Sequence, residues 1–241
     1  MGMTTIVFAS SKGGAGKTTA AILLASELAR EGMDKNISIT LIDADPNQHS
    51  VKWAMKDGCP KNITPIAVDE ENILDKIENA EAETDFVIVD LEGTASMSVA
   101  SAISRATLVI VLCQGSQDDA DEAAKTIKLI QNQSKILNRT IAYSILMTRT
   151  NAAITPRNLT YIINQFNSLN ADLFKTSLIE REAFKAIRSF GGTVNDLDKK
   201  EVSGIKQSIS NTQAFTSEVK EKLKSLIIEK DKSKWVDKEQ A

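Results

Sequence analysis

Aromatic side chains are scarce in this chain: seven Phe, two Trp and two Tyr among 241 residues, with one His, two Cys and four Pro. Each scarcity removes a class of reading. Cys59 and Cys113 have neither metal-ligand nor redox-motif spacing, and His49 has no partner in the pattern, so all three read as structural. No run approaches the roughly 18 apolar residues of a membrane span, and the opening Met-Gly-Met-Thr-Thr lacks the charged and apolar segments of a secretory leader. A cytoplasmic protein is expected. The length favours one domain over 1–241, ending in a helix and polar tail from about 210.

The net charge of −3 hides an asymmetry. Residues 1–120 carry 9 Lys+Arg against 18 Asp+Glu, whereas 121–241 carry 20 against 14. Acidic groups early suit a metal and water. Basic groups late suit an anionic polymer.

Short β-branched runs alternate with amphipathic stretches. Strands are expected at 5–9, 37–42, 63–68, 86–90, 108–112, 141–147 and 173–178, with helices at 18–30, 73–80, 119–136 and 156–167. Runs such as Phe86 to Asp90 and Leu108 to Leu112 are apolar at nearly every position, as strands buried on both faces require. The fold class is α/β: a doubly wound, mostly parallel sheet with helices on both faces. From Ser217 a Lys/Glu-rich helical pattern runs through Val219, Leu223, Leu226 and Ile227 into a polar tail.

Between the first strand and the first helix lies Ser10 to Thr19, SSKGGAGKTT. It fits the phosphate-loop pattern G-x-x-x-x-G-K-[ST], with Ser11 in place of the first Gly. Gly13, Gly14 and Gly16 let backbone N–H groups turn inward around phosphate oxygens, and Ala15 and Thr19 complete the stretch. The helix beginning near Lys17 offers its positive end, Lys17 neutralises phosphate charge, and Thr18 can ligate Mg2+. The nucleotide is expected to be ATP. Lys12 is surplus to that scheme.

The stretch from Lys12 to Thr19 resembles the deviant Walker A motif of the ParA/MinD family of P-loop ATPases. In that family the early lysine crosses a dimer interface to the partner's nucleotide. A second lysine beside Lys17 would suffer like-charge repulsion in its own site; directed at a second copy's phosphates, it makes dimerisation depend on ATP. Two further segments match. Asp43-Ala44-Asp45-Pro46 resembles the family's switch I, which implies that Asp43 supports magnesium through water and that Asp45 orients or activates the attacking water. Asp90 ends a buried strand, as the Walker B carboxylate does, and would hold a magnesium-bound water. Such carboxylates converge at the carboxyl edge of an open α/β sheet. The segment Asp90-Leu91-Glu92-Gly93-Thr94-Ala95-Ser96 lacks the prolines many members carry, with Gly93 left to offer a γ-phosphate-sensing N–H.

By the same resemblance, Thr148 and Arg149 fall where the adenine base is read. Thr176 to Gly192 resembles the segment adjoining the DNA-binding surface. Arg181, Lys185 and Arg188 recur at helical spacing on one face, and Arg139 to Phe190 holds 7 basic residues against 3 acidic. This patch is expected to meet the DNA backbone without reading sequence, since no base-reading module precedes the phosphate loop.

The resemblance, over roughly 4–225, implies a slow, partner-stimulated ATP hydrolase that forms a homodimer with ATP and binds nucleoid DNA. With a ParB-like or centromere-binding partner it would partition plasmid or mobile-element DNA. The pair of DLEG and EREAFKAI segments also resembles accessory ATPases of conjugative DNA transfer. MinD-like positioning of a membrane site or protein cargo is the further alternative. A membrane is not expected, because the tail around Trp235 is polar and carries little excess positive charge. Tyr143 and Tyr161 do not make the tyrosine cluster of a bacterial tyrosine kinase.

Overall fold

A computed structural model describes residues 4–93, 96–151 and 156–239, by backbone alone from residue 230. Among the described residues seven strands form one parallel sheet: β1 (Thr4–Ala9), β2 (Ile39–Asp43), β3 (Ile63–Ala67), β4 (Phe86–Asp90), β5 (Leu108–Cys113), β6 (Tyr143–Thr150) and β7 (Leu178–Ile179), in the order β3-β2-β4-β1-β5-β6-β7. The connections run through α1 (Lys17–Gly32), α2 (His49–Ala54), α3 (Ile73–Glu83), α4 (Met97–Arg105), α5 (Gln117–Ile136), α6 (Arg157–Ser168), α7 (Glu182–Phe190) and α8 (Ile205–Glu239).

Side-chain alternation along each strand divides the core in two. Ile6 and Phe8 of β1 join Leu41, Ile88, Ile110 and Leu112 beneath α1, α2, α7 and α8, where Trp53, Phe184 and Phe215 fill the space. Val7 and Ala9 face the other way, with Val87, Val89, Val109, Val111 and Ile145, under α3, α4, α5 and α6. Both faces of the sheet are therefore dry, which accounts for strands that are apolar throughout.

The expected elements are recovered with shifted ends. β2 starts at Ile39 rather than residue 37, because Ser38 is held sideways by the Asp85 carboxylate. The last expected strand, 173–178, is not continuous. Leu173 makes an isolated bridge to Ile145, and regular pairing resumes only at Leu178, since Glu218 of α8 takes the backbone N–H groups of Lys175 and Thr176 at 2.6 and 2.8 Å. α8 begins at Ile205, well before the pattern read from Ser217. The short helices α2 and α4 have no counterpart among the expected elements.

Strand order reverses around β1: the chain passes to β2 on one side and, after β4 fills the gap, to β5 on the other. This places the loop after β1 beside the carboxyl ends of β4 and β2. Asp43 and Asp90 are in register with each other, and Asp90 with Phe8.

Candidate functional site

The glycine loop has the geometry of an anion cradle. Gly14 and Gly16 adopt φ of 76° and 101°, in the left-handed region, and Gly16 is the N-cap of α1. Among the described residues no side chain caps that terminus, so the first N–H groups of α1 face the loop with the positive end of the helix dipole behind them. A Cβ at Gly13 or Gly14 would meet no described atom within 4 Å, leaving open space over the loop. From below, Thr148 donates its hydroxyl to the Ala15 carbonyl at 2.7 Å, and Gln114 donates its amide to the Gly14 carbonyl at 3.1 Å. Thr148 is 3% exposed, so it acts as a strut beneath the loop.

The two lysines are disposed differently. Lys17 is buried, with Nζ 3.4 Å from the carbonyls of Ser10 and Lys12. Burial holds its ammonium below its ordinary pKa, against the opposing charges of Asp90, Asp45 and Glu92. Phosphate oxygens would supply the anion that this desolvated cation faces. Lys12 lies outside that cluster: its side chain is 43% exposed and its Nζ stands 2.7 Å from Asp119 at the start of α5.

Asp90 is 1% exposed, and among the described residues neither of its carboxylate oxygens has a hydrogen bond. Burial, with Asp43 in register on the adjacent strand, pushes it up to about 7; the hydroxyls of Thr18 and Ser50 and the charge of Lys17 pull the other way. An unpartnered buried carboxylate beside a helix-terminal threonine fits a hydrated divalent cation. Among the described residues no three His, Cys, Asp or Glu converge to hold a metal unaided. Mg2+ at Thr18 and Asp90 would therefore complete its shell with nucleotide oxygens and water.

Asp43 has its oxygens engaged. It accepts from the Asp45 N–H at 3.0 Å, from the Ser50 N–H and hydroxyl at 2.8 and 2.7 Å, and from the Val51 N–H at 3.2 Å. It thus caps α2 and fixes the turn carrying Asp45. Asp45, half-buried at the mouth of the site, accepts from both the backbone and side-chain amides of Asn47.

Arg149, Arg181, Lys185 and Arg188 surround one recess together with Gly16, Thr19, Thr148 and Phe184. The residues expected at adenine and those expected at DNA are thus contiguous. Arg149 sits at φ 51° in a bulge between Thr148 and Thr150, which turns it out of the strand pattern. Lys185 lies 3.4 and 3.9 Å from Glu180 and Glu182, so part of the basic face is internally paired. Thr94, Ala95 and the side chain of Trp235 lie outside the described residues. Sequence reasoning missed Gln114, Ser50 and Asp119, which hold loop, turn and lysine; none belongs to a recognised motif.

A parallel α/β sheet with this loop, strand-end carboxylates and extra lysine defines a P-loop ATPase of the ParA/MinD type. A model of the VirC1 protein family matches residues 3–226, and the chain belongs to that family. It is 35% identical over 222 residues to Protein ParA of Rhizobium radiobacter, covering 92% of this chain and 98% of that protein. The fold is similar to an ATP complex of Cyanothece McdA, at TM-score 0.72 and 17% identity over 90% of this chain and 96% of the other. It is also similar to the septum site-determining protein MinD of Pyrococcus horikoshii with Mg-ADP, at TM-score 0.66 and 15% identity, covering 91% and 95%. No described helix is long and apolar enough to cross a membrane.

Proposed function

We propose that this protein is a dimerising ATPase switch that binds DNA without sequence preference and partitions or positions plasmid or mobile-element DNA. Two copies join face to face over bound ATP, each Lys12 reaching the other's phosphates, and their basic faces align on one duplex. Asp45 orients the attacking water, and hydrolysis, accelerated by a ParB-like partner on the cargo DNA, releases the pair. The observation that carries the reading is the division of labour between the lysines: Lys17 is buried in its own loop, while Lys12 stands at the surface with its head outside that cluster.

The test is binding of the purified chain to random-sequence duplex DNA with ATP, with ADP and without nucleotide. Binding confined to ATP is expected. Absence of binding in all three conditions would overturn the DNA reading and leave a membrane site or protein cargo. A second reading, an accessory ATPase of conjugative DNA transfer, is favoured by the segments Asp90 to Gly93 and Glu180 to Ile187, both inside the stretch matched by the VirC1 family. Under it, deletion of the gene lowers transfer frequency and leaves inheritance of the element in dividing cells unchanged.

A further inference from the structure

The short helix α2 is tied at both ends, and its two ends belong to different parts of the molecule. At the N-terminus the Asp43 carboxylate, in register with Asp90 on the adjacent strand, accepts from the N–H groups of Ser50 and Val51 and from the Ser50 hydroxyl. Those N–H groups are orphan donors of the first turn, so a carboxylate at the edge of the nucleotide site holds the helix. Six residues make too short a helix to hold itself in water, and its position is set by what it is tied to.

At the other end α2 is joined to the end of α7. Trp53 is 1% exposed and donates its indole N–H to the Gly192 carbonyl at 3.0 Å. Lys56, just past the helix, extends its ammonium to the carbonyls of Arg188 and Ser189, 2.7 Å from each. A cation on the last carbonyls of a helix satisfies acceptors that have no partner in the helix and is favoured by its dipole. There is no slack at this joint: a Cβ at Gly191 would sit 2.7 Å from the Lys56 Cβ and 2.8 Å from the Asp57 carbonyl oxygen. Arg188, whose carbonyl Lys56 takes, is also the residue whose side chain lines the recess beside Gly16.

We infer that α2 is a strut that passes the state of the nucleotide site to the basic face of α7, with Trp53 and Lys56 as its positioning residues. The inference rests on the DNA-binding reading above and supplies the regulation of that surface. Asp43 faces Asp90 across two strands, so the charge it meets changes when the site fills, and Asp43 is what holds α2. A shift of α2 carries the end of α7 with it, because Trp53 and Lys56 bond to backbone carbonyls, which cannot rotate away as side chains can. The coupling is reciprocal: DNA on α7 tightens nucleotide binding by the factor by which nucleotide tightens DNA binding. The recess adjoins Gly16, which offers a direct route from nucleotide to arginines as well. The route through α2 differs from it in depending on a buried indole N–H that DNA cannot touch.

The experiment titrates the full chain with a fluorescent, non-hydrolysable ATP analogue and Mg2+, with and without saturating random-sequence duplex DNA, for wild type, Trp53→Phe, Lys56→Met and Lys56→Arg. In wild type the duplex tightens analogue binding about tenfold, an ordinary size for coupling between sites. Trp53→Phe keeps an aromatic ring in the core without the N–H donor, and Lys56→Met keeps the stem without the ammonium. In both the factor falls to about threefold or less, while affinity without DNA stays within about twofold of wild type, a small change on the affinity scale. Lys56→Arg, which still reaches the carbonyls, restores the factor. A merely structural role would lower the melting temperature and leave the factor alone. If Trp53→Phe does not fold, the two Lys56 variants carry the test. Trp53 also reports directly, since with Trp235→Phe it is the single tryptophan left. Unlabelled analogue and then duplex should each shift its emission, and Lys56→Met should keep the first shift and lose the second. A wild-type factor retained by Trp53→Phe and Lys56→Met, or a duplex that binds wild type without changing its analogue affinity, overturns the strut and leaves the DNA reading standing. A wild-type chain that binds no duplex in any nucleotide state overturns the DNA reading and the strut with it.

Discussion

Gly93, just past the Walker B strand, lies against Gly13 of the phosphate loop so closely that no side chain fits between them. A Cβ at Gly93 would sit 2.9 Å from the Gly13 nitrogen, 3.0 Å from its Cα and 3.2 Å from the Lys12 carbonyl carbon. All three are backbone atoms and cannot rotate away. Gly93→Ala must therefore displace the loop, at a cost of about 1–3 kcal/mol. The expected result is a fall in ATP affinity of about tenfold or more with a small drop in melting temperature. Titration of a fluorescent ATP analogue checks it, and unchanged affinity would show that the two segments separate freely.

Asp90 links the site to pH. In nucleotide-free, metal-free protein its carboxyl is raised from an ordinary 3.8 to about 7, because burial and Asp43 disfavour the charged form. Between those values the folded chain holds a proton that the unfolded chain has released. Stability from this group is therefore present below about pH 4 and lost as pH rises through 7, by up to about 4 kcal/mol. Asp90→Asn removes the burden. In EDTA the variant should melt at a higher temperature than wild type at pH 8, with the gap closing toward pH 4. A gap that stays constant with pH would show that Asp90 is not the titrating group.

Much of this arrangement is legible in the sequence because it is local. The loop, its preceding strand and its following helix are contiguous, so spacing alone places Gly13 to Thr18. Apolar strands announce a sheet covered on both faces. What escapes depends on pairings between distant residues. α2 is six residues long and is capped by the Asp43 carboxylate from another element, a signal no local pattern carries. The break in the strand at Lys175 is made by Glu218, 43 positions away. The resemblance implies that Asp43 supports magnesium through water; that its oxygens also hold the Asp45 turn and α2 is visible only once β2 lies beside α2. Helical spacing puts Arg181, Lys185 and Arg188 on one helix face, whereas α7 begins at Glu182 and Arg181 is its N-cap in extended backbone; only the fold shows that Arg181 and Arg188 both line the recess beside Gly16.

That adjacency shapes the DNA prediction. Neutralising Arg181 and Arg188 together should weaken DNA binding and flatten its salt dependence by roughly one unit of slope for each phosphate left unneutralised. Lys185, already paired with Glu180 and Glu182, should matter less. ATP affinity is measured alongside, because both arginines line the nucleotide side. An unchanged salt slope would place the DNA-binding surface elsewhere.

Lys12→Ala separates the two lysines. Lys17 and the strand-end carboxylates are untouched, so ATP binding by the monomer should persist within about threefold, a small change on the affinity scale. Dimerisation with ATP should be abolished. Light scattering with and without nucleotide reads the outcome, and a variant that dimerises like wild type would remove Lys12 from the interface.

Asp45 is the group best placed to separate binding from turnover. It sits on an exposed turn, and its carboxylate is bonded within that turn, to Asn47 at 2.8 and 2.9 Å. The turn itself is anchored independently, through the Asp43 carboxylate and the Gln48 N–H to Asp45 carbonyl bond. Asp45→Ala should therefore cost about 1 kcal/mol of stability or less, leave ATP binding intact, and lower hydrolysis about 100-fold or more, as removal of a group that orients or deprotonates water does. Because joining precedes hydrolysis in the proposed cycle, the variant should accumulate as an ATP-bound dimer that stays on DNA, whereas Lys12→Ala never reaches it. Phosphate release and DNA retention, measured on one preparation, check both limbs. Rapid turnover by Asp45→Ala would assign the water to another residue, and slow turnover without retention on DNA would uncouple hydrolysis from release.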